Sequence, residues 1–206
     1  MTDLFNSYPQ LRRCEKEIER AIETLVCTFR GGKALLLCGN GGSAADCEHI
    51  SGELGKGFKN RRPLDEARKD NMKKACPEIS GDLLDKLQTG LPAIPLPSLT
   101  SLSTASANDI GADEAYAQGV CAFASQGGAL IAVSTSGNAS NVVNAALAAK
   151  AFGMKVISLT GSAGGKLAGI ADIAIRVPAE ETYRVQELHL PVYHAICAEV
   201  ERRIFG

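Results

Sequence analysis

The chain has 206 residues, 45% of them hydrophobic, enough to bury one sizeable α/β core with some embellishment. Its 22 basic residues nearly balance 23 acidic ones, for a formal net charge of −1, so a broad basic field for gripping nucleic acid is not indicated. No apolar run approaches the ~20 residues that span a bilayer, and the opening segment MTDLFNSYPQLRRCEKEIER lacks the apolar block of a secretory signal.

In chain order, Leu4, Tyr8, Leu11, Cys14, Ile18, Ile22, Leu25 and Phe29 recur at three- or four-residue steps, which predicts an amphipathic helix over 4–29 closed by two glycines. KALLLC (33–38) is a short continuous apolar run and predicts a buried parallel strand. Asn40-Gly41-Gly42-Ser43 is then a turn, with Ser43 the expected N-cap of a following helix that carries His49 and Glu53. Composition changes at residue 59. The charged stretch to residue 90 predicts short surface helices around 64–75 and 80–88, inserted between core elements (the whole insertion spanning about 64–90). LPAIPLP (91–97) is a proline-laced strand suited to an edge or a short central position, and helical segments broken around 108–111 follow. The clearest unit comes next: strand 129–134, polar turn, helix 139–152 and strand 154–159. A last strand (171–177) and a long helix from about 181 to the end complete a doubly wound parallel sheet flanked by helices.

Seven cysteines, an odd count without CxxC spacing, read as buried free thiols of a reducing cytoplasm rather than a disulfide framework. In a sheet of this kind ligands sit beyond the carboxyl ends of the strands. Two polar turns occupy that place, Gly39–Ser43 and 134–140, the second offering Ser134, Thr135, Ser136 and Ser140. Helix N-termini and hydroxyls there can hold a phosphate, although the same residue types also serve simply to cap and turn chains. The spacing is neither GxGxxG nor GxxxxGK[ST], so dinucleotide and nucleoside-triphosphate binding rank behind a small sugar phosphate. His49 and Glu53, at i and i+4, share one helix face and suit a metal or a proton transfer. Taken singly, His49, Glu53 and Gln186 read more readily as solvated or hydrogen-bonded side chains than as a site.

Together, the GNGGS turn, the HxxxE helix, Asn108-Asp109, the STSGN turn, the LTGSAGGKLAG loop and the RVQELHLPVYH helix resemble the sugar isomerase (SIS) family, and within it the phosphoheptose isomerases. The resemblance implies an SIS-type, flavodoxin/Rossmann-like fold with long terminal helices, and one Zn²⁺ per site held by His49, Glu53, Gln186 and His194. It also implies Glu53 and His194 as the acid/base pair, and a substrate held by Asn40, Gly41, Gly42, Ser43, Asn108, Asp109, Ser134, Thr135, Ser136, Ser140 and Gln186. The implied reaction converts sedoheptulose 7-phosphate to D-glycero-D-manno-heptose 7-phosphate in a homotetramer with sites at subunit seams, for bacterial cell-surface polysaccharide. His189 matches no ligand and is assigned a structural role.

Three departures bear on the substrate. Ala139 replaces a family serine, Gly57 stands where the family has arginine (Lys56 being adjacent), and Tyr183 stands where an acid is common. The competing expectations are a non-catalytic SIS sensor, an adaptor for the replication initiator DnaA, and an SIS lyase or deaminating relative.

Overall fold

A computed structural model describes residues 2–206. The chain opens with helix α1 (Thr2–Ser7), a 3-10 turn (Pro9–Cys14) and α2 (Glu15–Arg30), so the helix predicted over 4–29 is broken. Pro9 has no N–H to continue the ladder, and Tyr8 leaves helical geometry at φ −130° and ψ 71°. Tyr8 itself is exposed, whereas Leu4, Leu11, Cys14, Ile18, Ile22 and Leu25 are buried.

Strand β1 (Ala34–Cys38) is buried at every position and leads into α3 (Gly42–Gly55). Two short helices follow, α4 (Glu66–Ala75) and α5 (Gly81–Lys86), capped by the side chains of Asp65 and Ser80. No residue of α4 is buried, so it is a solvated arm. Both ends of this segment return to the same place: Pro63 bridges Gln88, whose Oε1 accepts from the N–H groups of Gly57 and Arg62.

The remaining elements are β2 (Ala93–Pro95), α6 (Thr100–Asp109), α7 (Ala115–Phe123), β3 (Gly127–Val133), α8 (Ser140–Ala151), β4 (Lys155–Thr160), α9 (Gly165–Ile170), β5 (Ile173–Arg176) and α10 (Thr182–Phe205). Helix α9 lies where the sequence predicts only a loop.

All strand pairs are parallel, in the order β2-β1-β3-β4-β5. The proline-laced β2 takes the edge, where its missing donor costs nothing. Alternate strand side chains feed two layers. Leu35, Leu37, Ile131 and Ile157 pack with α2, α3 and α10. Leu36, Cys38, Leu130 and Val156 pack with α7, α8 and α9. From β1 the chain steps outward to β2, then crosses to β3 on β1's other side. The order therefore reverses between β1 and β3, and the turns after these two strands flank the crevice where such folds bind ligands. Among the described residues, no helix is long and apolar enough to cross a membrane, and all seven cysteines are free.

Candidate active site

Two features tie the turns after β1 and β3 together. Asn40 and Asn141 exchange two amide hydrogen bonds, at 2.9 and 3.0 Å, across the crevice. From below, the hydroxyl of Tyr116 donates to the Gly39 carbonyl at 2.8 Å. Gly41, at φ 54° and ψ −123°, is the N-cap of α3. Ser43 is therefore not the cap that the sequence suggests; it lies inside the first helical turn, 4% exposed. Glycine alone enters such a conformation without strain, which sets Asn40 and Ser43 on either side of the helix start.

In the second turn Ser134 is buried, Thr135 half-buried, and Ser136 and Ser140 exposed at the mouth. Asn138 spans the turn, its N–H donating to Ser136 Oγ and its Oδ1 accepting from the Lys166 N–H of α9. Ala139 precedes α8 and caps it with no side-chain bond. Asn108 and Asp109, at the exposed end of α6, hydrogen-bond each other at 2.9 Å rather than either turn.

Two turns further along α3, His49, Glu53 and His194 converge. Their ligand atoms all lie within 4.8 Å of one another. His49 Nε2 is 3.1 Å from Glu53 Oε1 and 3.4 Å from His194 Nε2. Burial and the neighbouring His49 both hold His194 below the usual imidazole range, against the pull of Glu53. The His49 side chain keeps 42% of its exposure, so the cluster is open to a ligand. Two imidazole nitrogens and a carboxylate oxygen aimed at one point suit a divalent ion such as zinc with a free coordination position.

Gln186 stands elsewhere in this chain. Its carboxamide packs over Gly42, where a Cβ would sit 2.5 Å from Nε2. Gly42 and His49 are separated by about 10 Å of helix rise, so Gln186 lies at the turn end of α3 and the imidazoles meet further along it. Helices α3 and α10 run side by side in the same direction, which makes both meetings possible. His189 is fully buried beside Thr160, and burial pushes it down to about 4, keeping it neutral.

Residues without a spacing signal complete the site. Tyr193 accepts at 3.0 Å from His49 Nδ1 or donates to it, and lies 3.2 Å from Asp46 Oδ1. Phe58 lies against His194, ring centroids 5.5 Å apart and the planes tilted by 40°. The loop bearing Phe58 is wrapped on Glu201, which pairs with Arg62 at 2.7 Å while both side chains are 1% exposed. At the departures, an arginine does not fit position 57, because a Cβ there would lie 2.3 Å from the Asn60 carbonyl. Lys56 is the cation nearby, 3.9 Å from Glu53. Tyr183 is 54% exposed.

Comparisons with known proteins bear on the family and the fold. The SIS domain profile matches residues 8–80 and 88–161. The phosphoheptose isomerase of Shewanella denitrificans is 38% identical over 193 residues, covering 92% of this chain and 85% of that protein. Among solved structures, a phosphoheptose isomerase from Francisella tularensis superposes with a TM-score of 0.74 at 27% identity, covering 98% of this chain and 96% of the other. That of Neisseria gonorrhoeae gives 0.68 at 30% identity, with 98% of both chains covered. With its profile, sequence and architecture all in accord, the chain belongs to the SIS domain family and is an isomerase similar to the phosphoheptose isomerases.

Proposed function

We propose that this isomerase interconverts sedoheptulose 7-phosphate and D-glycero-D-manno-heptose 7-phosphate, moving a proton between C1 and C2 through an enediol. The observation that carries the reading is the meeting of Glu53 with His49 and His194 one short stretch of helix from two polar turns, the second of them lined by hydroxyls. The stretch of α3 from Gly42 to His49 rises about 10 Å, comparable in scale to an extended seven-carbon chain with a terminal phosphate.

In this scheme the phosphate lies at Ser134, Thr135, Ser136 and Ser140, with Ser43 and the N-terminus of α3 opposite. Asn40, Gln186 and the backbone of Gly41 and Gly42 orient the hydroxyls, and Asn108-Asp109 closes the outer edge. Binding energy from the remote phosphate then fixes the reacting carbons beside the carboxylate. Glu53 takes the proton from one carbon and returns it to the other, while His194 exchanges a proton with the sugar oxygens. Zinc at the cluster, held by His49, Glu53 and His194, would supply Lewis acidity toward those oxygens.

The reading includes a homotetramer. It is supported by a groove of about 720 Å³ beside His194, lined by Tyr8, Phe58 and Leu190 among others, as a subunit seam. Sedimentation as a monomer at micromolar concentration would remove that part.

The deciding experiment is isotope exchange. Incubation with sedoheptulose 7-phosphate in deuterated water is expected to place label at C1 or C2, and a chelator to stop it. Exchange with other ketose phosphates but not with this one would overturn the heptulose assignment.

A further inference from the structure

Beyond the three residues at the cluster, the structure assigns Tyr193, backed by Asp46, as the positioning residue that keeps the Nε2 lone pair of His49 free for the metal; the assignment rests on the reading that the cluster holds a divalent ion.

The argument is one of hydrogen inventory. His49 Nε2, Glu53 Oε1 and His194 Nε2 face one another at 3.1 and 3.4 Å from the first of them. Three lone pairs at such distances repel, so either a proton on one Nε2 bridges them or a cation lies among them. His49 presents a lone pair at Nε2 only in the tautomer with its proton on Nδ1. Nδ1 faces the Tyr193 hydroxyl at 3.0 Å. That hydroxyl has a single proton and a second neighbour, Asp46 Oδ1, at 3.2 Å. Burial raises the Asp46 carboxyl, while the Tyr193 hydrogen bond and His49 favour its charged form; as a carboxylate it only accepts, so the tyrosine proton points to Asp46 and the tyrosine oxygen accepts from Nδ1–H. The chain then reads His49 to Tyr193 to Asp46, each donating to the next, and Nε2 is left bare.

Three further observations hold this order in place. Asp46 Oδ2 is buried without a partner, so Tyr193 supplies the one hydrogen bond to this carboxylate among the described residues. The Tyr193 ring is 2% exposed and meets the His49 ring edge-on with centroids 5.5 Å apart, so the hydroxyl cannot swing away. Tyr193 also directly precedes His194 on α10, so one short piece of helix addresses both nitrogens of His49. A partner that fixes the tautomer of a ligating histidine commonly changes metal affinity by about 10–100-fold.

Zinc affinity, measured by competition with a chromophoric chelator, tests the assignment. Tyr193→Phe keeps the ring and removes the oxygen, and is expected to weaken zinc at least about 10-fold. Asp46→Asn is expected to do the same, because its amide can donate to the tyrosine oxygen and turn the hydroxyl proton toward Nδ1. Nitrogen-15 shifts of His49 in the metal-free protein should show Nδ1 protonated in the parent and a tautomer mixture in both variants. Should Tyr193→Phe fail to fold, Asp46→Asn carries the test alone. Parent-like zinc affinity in the folded variants would overturn this inference and spare the metal reading. A parent that binds no zinc would overturn both.

Discussion

Glu53→Gln is expected to lower kcat on a ketose phosphate by about 10²–10⁴-fold, the usual contribution of a placed general base, while the protein folds as before. The substitution is close to isosteric, and the side chain it alters packs at the edge of the site, 17% exposed. Among the described residues, its carboxylate lies within 4 Å of the His49 imidazole and of the solvated Lys56 ammonium. A carboxamide keeps one acceptor oxygen but has no useful basicity, so proton abstraction loses its base. In barrier terms the loss amounts to roughly 3–5 kcal/mol. KM should move little, since the phosphate turns lie about 10 Å of helix or more away. Because Glu53 is also one of the three donors of the cluster, deuterium exchange should be followed with zinc in excess. A variant restored to parental exchange by zinc alone would make Glu53 a ligand and not the base. A variant keeping more than a tenth of parental exchange without added zinc would remove it from both roles.

How much of this could be read beforehand varies with the range of the interaction. Strands β1, β3 and β4 announce themselves as apolar runs followed by glycine or serine, because strands buried on both faces need no alternation. The break at Pro9 does not show in the apolar pattern, because the spacing continues through it. Tyr8, Leu11 and Cys14 are three apart, the period of the 3-10 turn that forms there. Helix α9 hides in a six-residue segment with two glycines, stabilised by turn contacts such as Asn138 to Lys166 that no local pattern records.

At the site, His49 and Glu53 show through i,i+4 spacing, whereas Asp46 and Tyr193 do not. An aspartate one turn before a histidine reads as solvated and a helical tyrosine as core, and only the approach of α3 to α10 joins them. Asn141 is equally silent, an ordinary amide in the first turn of α8 until the crevice closes it onto Asn40. Gln186 reads as part of the metal set when residues are matched motif by motif. Within this chain its carboxamide lies over Gly42, a placement that depends on register between elements far apart in sequence.

The largest stability effect is expected from Glu201→Ala, at about 3–5 kcal/mol, because it strands a buried cation. Both Arg62 and Glu201 side chains are 1% exposed. Glu201 accepts from the N–H groups of Phe58 and Lys59 at 2.8 Å and of Asn60 at 3.2 Å, besides Arg62 Nε. Arg62 in turn donates to the Leu54 carbonyl at 2.8 Å and the Glu53 carbonyl at 3.4 Å, closing the end of α3. That helix buries only Cys47, Ile50 and Leu54 among its apolar residues, at about 1.5–3 kcal/mol for each of the larger two, so the clamp at its end matters. Replacing both partners by methionine should recover only part of the loss. A buried ion pair can often be exchanged for apolar residues, yet three backbone donors would remain unpaired here, at about 1–3 kcal/mol each. Burial alone would raise the Glu201 carboxyl, but the N–H groups of Phe58 and Lys59 and the Arg62 guanidinium hold it below its ordinary value. A carboxylate depressed in the folded state stabilises above its unfolded pKa and loses that contribution as pH falls toward the folded one. The parent should therefore lose stability faster than Glu201→Ala below about pH 5, and the two curves should converge. With no tryptophan in the chain, urea unfolding followed by far-ultraviolet circular dichroism at several pH values reads both effects. A difference under about 1 kcal/mol at neutral pH would mean that the loop holding Phe58 against His194 is secured by something other than this pair.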